Sequence, residues 1–193
     1  QRAGTMTIGG PIVRNSTAAA KYHFLLKGGT LKIEDDVDMS FFRTVGITNE
    51  NTSATIDIDE GKTLSWTNAT FAAGAAVTKT GLGTLKLGAS IPDSLLVEEG
   101  VFVVPECNWD ETYAGSVSLA DGTVLRLDGC VTATAIDNLE NITLTIGDAI
   151  AYDNFVFKSS DAALLEAVKA KLESALPDAG FMILDGGIYY FAN

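Results

Sequence analysis

Three carboxylate runs are the first candidates for chemistry: Glu34-Asp35-Asp36-Val37-Asp38, Asp57-Ile58-Asp59-Glu60 and Glu98-Glu99. Acids gathered on one face can hold Ca²⁺ through oxygen ligands, or flank a glycosidic bond as a catalytic pair. The paired reaction needs one carboxyl whose pKa burial has raised, so that it can donate a proton. Alternation sets Asp57 on the side opposite Ile56 and Ile58, just before the Gly61 turn. The expectation there is hydrated, solvent-facing charge. A lyase also needs a Lys or Arg base beside the acids, and none recurs next to these runs. The Asp-rich nonapeptide of Ca²⁺-binding β-rolls is missing too. Structural and solubility roles are therefore expected, with no metal and no cofactor.

Asn108-Trp109-Asp110-Glu111-Thr112-Tyr113 places two aromatics among two acids in a loop expected after Pro105. Aromatic faces stack on sugars and carboxylates accept sugar hydroxyls, so Trp109 and Tyr113 are the candidate ligand-binding residues. Packing that anchors the loop is the competing use. The single histidine, His23, stands among Tyr22, Phe24 and Leu25. It leaves no His pair for a metal and no ready base for a Ser or Cys nucleophile. Gly81-Leu82-Gly83 serves turns, since neither a third glycine nor a helix follows. No catalytic residue is expected.

Positioning falls to a recurring phrase: a Gly or polar turn, a small residue, then alternating apolar positions. It reads Gly29-Thr30-Leu31-Lys32-Ile33, Gly61-Lys62-Thr63-Leu64-Ser65-Trp66, Gly83-Thr84-Leu85-Lys86-Leu87 and Gly100-Val101-Phe102-Val103-Val104. Gly122-Thr123-Val124-Leu125-Arg126-Leu127 and Asn141-Ile142-Thr143-Leu144-Thr145-Ile146 follow. Counted from the first inward Leu or Phe, the steps are 33, 21, 17, 23 and 19 residues. Val45 and Ile47 could supply a rung inside the long first step. One coil per ~20 residues fits a parallel β-helix or related solenoid. An antiparallel sandwich is the competing architecture, because short strands recur there as well. Its support is local: Asp121-Gly122 and Asp128-Gly129 are turn signals. The second could fold residues 124–127 back onto residues 130–134 as a hairpin.

The bulk numbers narrow the partners. Of 193 residues, 25 are acidic and 13 basic, for a net charge of −12. No basic patch offsets this charge, which repels phosphate backbones and anionic headgroups; nucleic-acid partners are not expected. The longest apolar-and-Gly stretch near the middle, Phe71 to Val77, is seven residues, against the ~20 that a spanning helix needs. No membrane insertion by this segment is expected. Starting at Gln1-Arg2-Ala3, the chain is expected to be a mature form or a fragment, and a monomer.

Residues 77–104 carry a resemblance. Val77-Thr78-Lys79-Thr80-Gly81-Leu82-Gly83-Thr84-Leu85-Lys86-Leu87-Gly88-Ala89, then Leu96-Val97-Glu98-Glu99-Gly100-Val101-Phe102-Val103-Val104, resembles the autotransporter-associated β-strand repeat. That repeat reads as a Lys-Thr-Gly-x-Gly-Thr-Leu-x-Leu-x-Gly phrase, a short loop, then a strand, a Gly turn and another strand. The stretch from Ala54 to Gly74 resembles the degenerate coil that precedes it. The resemblance implies a right-handed parallel β-helix in a secreted or surface-exposed bacterial passenger.

The end of the chain changes style. Ser159-Ser160-Asp161 offers N-caps for a helix over 161–176, with an apolar stripe of Leu164, Val168, Leu172 and Leu176. Pro177-Asp178-Ala179-Gly180 ends it, and residues 181–192 read as a hairpin around Asp185-Gly186-Gly187. The expected organisation is solenoid over 1–147 and a helix-plus-hairpin cap over 148–193. Setting Phe102 over Leu125 also sets Val104 over Leu127 and Cys107 over Cys130. At the ~4.8 Å spacing of stacked strands, that predicts a Cys107–Cys130 disulfide. The expected function is a non-catalytic, secreted or cell-surface structural or adhesive module, with a glycan or host-surface ligand as partner. The competing class is a carbohydrate-active β-helix enzyme, or a glycan-binding appendage of one.

Overall fold

Period-two alternation, broken at short intervals by Gly and polar corners, produces short strands that each bury one side. The computed structural model describes residues 4–10, 12, 23–40, 42, 44–88, 90–104, 116–132, 136, 138–147, 150 and 152–192. The chain runs through β1 (Thr5–Ile8), β2 (His23–Leu25), β3 (Gly29–Ile33), β4 (Val37–Asp38), β5 (Thr44–Ile47) and β6 (Ser53–Ile58). It continues through β7 (Thr63–Trp66), β8 (Ala69–Phe71), β9 (Ala76–Thr80), β10 (Thr84–Leu87), β11 (Ser94–Val97) and β12 (Val101–Val104). Next come β13 (Ser116–Leu119), β14 (Val124–Leu127), β15 (Val131–Thr132), β16 (Thr143–Ile146) and β17 (Asn154–Lys158). Helix α1 (Ala162–Ala175), β18 (Ala179–Leu184) and β19 (Gly187–Ala192) complete it.

These strands stack into a parallel β-solenoid of about five turns. One sheet runs β1-β3-β6-β9-β11-β13, a second runs β4-β7-β10-β12-β14-β16, and a third runs β2-β5-β8. Like residues stack in register. In the first sheet Gly29, Ala54, Val77, Leu95 and Val117 form a column, and Ile8, Ile33 and Ile58 form another. In the second, Val37, Leu64, Leu85, Phe102, Leu125 and Leu144 align, all buried. Each fully buried Leu, Ile or Phe contributes roughly 1.5–3 kcal/mol, so the columns are the main cohesive element.

The first copy of the recurring phrase lies elsewhere than expected. Gly29–Ile33 belongs to the first sheet, whereas the other copies build the second. The rung stacked on Leu64 is Val37, so the steps along that column are 27, 21, 17, 23 and 19 residues. Val45 and Ile47 lie in β5 of the third sheet. The hairpin considered at Asp128-Gly129 does not form. β14 is parallel to both neighbours, and β15 leaves to pair in parallel with β17. The carboxylate of Asp128 is held by Arg126 and Lys86 instead of shaping a tight turn.

The C-terminal segment follows the expected outline. Asp161 caps α1 by accepting hydrogen bonds from the amides of Ala163 (2.9 Å) and Leu164 (3.1 Å). Val168 and Leu172 of the expected stripe are buried, Leu164 and Leu176 are half-buried, and Leu165 beside the stripe is the buried residue of the first turn. The helix packs on β16, the last strand of the second sheet, and on β18. β18 and β19 form the hairpin around Asp185-Gly186, and the sheet order is β15-β17-β19-β18. The terminal sheet thus takes one strand from the region preceding residue 148. Among the described residues, no helix is long and apolar enough to cross a membrane.

Candidate functional site

The corner between the first and second sheets gathers most of the chemistry. Here each coil passes from one sheet to the next through Glu34–Asp36, Asp59–Lys62, Gly81–Gly83 and Glu98–Gly100. Main-chain bonds tie corner to corner: the Gly83 amide donates to Ile58 O (2.9 Å), Val101 to Gly83 O (3.1 Å), and Val124 to Gly100 O (2.9 Å). Gly81 (φ +72°) and Gly100 (φ +76°) are left-handed and closely approached. A Cβ at Gly81 would meet Ile58 O at 2.3 Å, and one at Gly100 would meet Gly83 O at 2.5 Å. Only glycine fits such a corner.

The three acidic runs lie along this corner, and their carboxylates bind the protein itself. Asp57 is outward between buried Ile56 and Ile58, as alternation requires, and accepts from Thr80 Oγ1 at 3.3 Å. Asp36 accepts from the Thr63 amide (2.8 Å), and Glu99 Oε2 accepts from the Gly81 amide (3.2 Å). Contrary to the sequence reading, cations do stand beside these acids. Lys62 meets Asp35 at 3.1 Å and Lys32 meets Asp59 at 3.3 Å. The Lys62 hydrogen bond holds the Asp35 carboxyl below its usual range, and Asp59 raises Lys32 in return. Each lysine bridges one coil to the next, so these pairs are crosslinks at exposed sites and contribute little individually. Among the described residues, no group of three His, Cys, Asp or Glu could hold a metal ion.

The buried cation of the corner is Lys79, which alternation alone does not flag. Its strand neighbours put Val77 and Lys79 inward, and its column partners are Leu31, Ile56, Val97 and Leu119. The ammonium therefore enters a row of aliphatic side chains and is fully buried. It turns at the corner and donates to three carbonyls: Thr80 O (3.1 Å), Gly81 O and Glu99 O (2.8 Å). Two belong to its own coil and one to the next, so Lys79 clamps adjacent coils. Burial lowers its pKa to about 8, against the opposing pull of the Glu99 and Asp57 charges. A signal was present in the sequence. Stacking the repeat copies column by column leaves one lysine in an otherwise aliphatic row.

On the outer face of the second sheet, Asp128 is 6% exposed and accepts from Arg126 Nε (2.6 Å), Arg126 Nη2 (3.0 Å) and Lys86 Nζ (2.9 Å). Burial pushes its carboxyl up, but the two cations outweigh this and hold it below the usual range. The trio joins β10 to β14 across β12, with Val103 buried between them. At the C-terminal end, a cavity of about 300 Å³ lies between α1 and β16, lined by Ile142, Thr143, Leu144, Lys171, Ser174 and Ala175. The Lys171 ammonium there donates to Glu140 O at 2.9 Å.

Of the residues singled out from sequence, Trp109, Tyr113 and Cys107 lie outside the described residues. Cys130 is half-buried and free, with burial raising its thiol pKa and Lys158 opposing that shift. The expected Cys107–Cys130 bridge is thus not among the bonds of the structure. The register that motivated it holds as far as Phe102 over Leu125 and Val104 over Leu127. His23 is exposed on β2, and Trp66 is buried in β7 with its ring T-shaped to that of Phe71, centroids 6.0 Å apart. Comparison with family models, curated proteins and solved structures finds no match for this chain.

Proposed function

We propose that the chain is a non-catalytic structural or adhesive module, secreted or held at a bacterial cell surface, in which stacked coils act as a rigid spacer. One observation carries this reading: the inward columns stay in register from Val37 to Leu144, and main-chain bonds join each corner to the next. A continuous ladder of this kind resists bending, and it can hold loops at a fixed distance from an anchor. The acids of the corner support the reading because their oxygens already accept from Thr63, Gly81, Thr80 and Lys62. A glycosidase needs a protonated carboxyl facing a substrate.

The test is a screen of plant, mucin and bacterial polysaccharides for released reducing ends or unsaturated products, with and without Ca²⁺. No product is expected, and weak binding lost in Trp109→Ala would favour an adhesive role. Reproducible product that disappears in Asp57→Asn or Asp36→Asn would establish the carbohydrate-active enzyme instead.

The same setting bears on the cysteines. An oxidising compartment favours a bridge between neighbouring coils, and the offset of 23 residues that separates Phe102 from Leu125 also separates Cys107 from Cys130 in the sequence. Protein secreted through such a compartment is expected to show one Cys107–Cys130 bridge by peptide mass mapping. Closing that loop contributes about 3 kcal/mol. Two alkylatable thiols in the secreted protein would rule the bridge out.

A further inference from the structure

We propose that the outer edge of β18 is a docking site for an extended peptide strand whose apolar core is flanked by basic residues. This site is separate from the spacer role, and either can fail alone. β18 is the last strand of the terminal sheet, with β19 on one side and no strand on the other among the described residues. The two-residue turn at Asp185 (φ 48°) and Gly186 (φ 75°) sets which groups are used. Leu184 and Gly187 flank that turn and bond to each other, so Met182 and Gly180 also direct their main chain at β19. Phe181 and Ile183 then present N–H and C=O to the open side, as Ala179 presents its C=O. The Ala179 amide is already donated to Leu176 O at 3.1 Å.

Side chains beside this edge are uncovered. Met182 is 45% and Leu184 44% exposed, on the face shared with Tyr189 and Phe155. The opposite face is closed: Phe181 and Ile188 are buried where α1 packs. The devices that usually protect a sheet edge are a charged side chain, a proline or a bulge within the strand. Ala179-Gly180-Phe181-Met182-Ile183-Leu184 has neither charge nor proline, and its pairing with β19 is continuous. An added strand would gain main-chain hydrogen bonds along the edge and apolar contact with Met182 and Leu184.

Charge selects the occupant. Asp178 and Asp185 stand exposed at the two ends of β18, in a chain of net charge −12. A second copy pairing antiparallel through the same edge would bring Asp178 of one chain within one residue of Asp185 of the other at both ends, and charges of one sign that close disfavour it. A strand with Lys or Arg outside an apolar core meets opposite charge at both ends.

The experiment measures fluorescence anisotropy of short labelled peptides with an alternating Val/Thr core, flanked by paired lysines or by paired glutamates. The lysine peptide is expected to bind about tenfold tighter than the glutamate peptide. Combining Asp178→Asn with Asp185→Asn is expected to erase that difference, since Asn tolerates the left-handed backbone at 185. N-methylation of alternate peptide amides is expected to abolish binding. Ile183→Pro removes an edge donor and is expected to weaken binding at least about tenfold, because edge strands accept proline where the N–H is free. Ile183 is half-buried, so amide exchange on the unaltered chain provides an independent readout: the lysine peptide should slow exchange at Phe181 and Ile183. Failure of the lysine peptide to bind, equal binding by the N-methylated peptide, or protection confined to other strands would overturn the proposal. A dimer in sedimentation that Ile183→Pro dissolves would overturn it in favour of a second copy.

Discussion

Replacing Leu172 by alanine is expected to lower unfolding stability by about 2–5 kcal/mol and to promote end-to-end association. Leu172 is fully buried in the face of α1 that packs on β16 and β18. β16 is the terminal strand of the second sheet. The Thr143 amide donates to Thr123 O and the Gly147 amide to Leu127 O, so these residues bond back toward β14. Leu144 and Ile146 turn their main chain the other way, toward the side where α1 lies. Shortening Leu172 loosens the helix over that edge and leaves a parallel strand open to pairing with another chain. Urea denaturation gives the stability loss, and sedimentation velocity reports the association. A variant that unfolds at the wild-type midpoint and stays monomeric would remove the capping role of α1.

Lys79→Met is expected to destabilise the chain by roughly 1–3 kcal/mol near neutral pH, with a gap that widens as pH rises. Methionine matches the length of the buried stem but leaves the carbonyls of Thr80, Gly81 and Glu99 without their shared donor. The pH dependence follows from linkage. Lys79 titrates at about 8 in the fold and at 10.5 when unfolded. Between those values the unfolded chain binds more protons, so wild-type stability rises with pH across that window. Below pH 8 the cost of burying the charge is fully present. Lys32 and Lys62 shift in the opposite direction, so their contributions decline only above the ordinary lysine range. Denaturation curves for wild type and variant, taken below pH 8 and near pH 10.5, isolate the Lys79 contribution by difference. A gap that stays constant over that interval would mean that Lys79 titrates like an exposed lysine.

The stacking offset of 23 residues between Phe102 and Leu125 was legible in the sequence, because each end of that step is a Gly turn followed by a short run with inward apolar residues. Helix α1 was legible for a similar reason: Asp161 and the apolar stripe report local physics. The assignment of Leu31 to a sheet was not. A strand in the first sheet and one in the second bury alternate residues in the same way, so periodicity cannot tell which wall of the solenoid a copy occupies. Val37 was missed because β4 spans only two residues and follows three acids. That cations stand beside the acidic runs was missed for another reason. Lys32 has Glu34 two residues away, but its shorter pair with Asp59 and the pair of Lys62 with Asp35 join residues 27 apart, which coil stacking alone brings together. Lys79 was legible only after stacking, since a lysine in an alternating strand otherwise reads as an outward residue.

The uneven steps of the Val37-to-Leu144 column have a further consequence. Intervals of 27, 21, 17, 23 and 19 residues all produce the same advance of one strand spacing, about 4.8 Å. Contour length and axial length are therefore decoupled, and the molecule measures distance in hydrogen bonds and not in residues. A corner can be lengthened or shortened without changing the pitch of the rod or the alignment of the coils beyond it. Evolution can rewrite what each rung displays while the ruler that spaces the rungs stays the same.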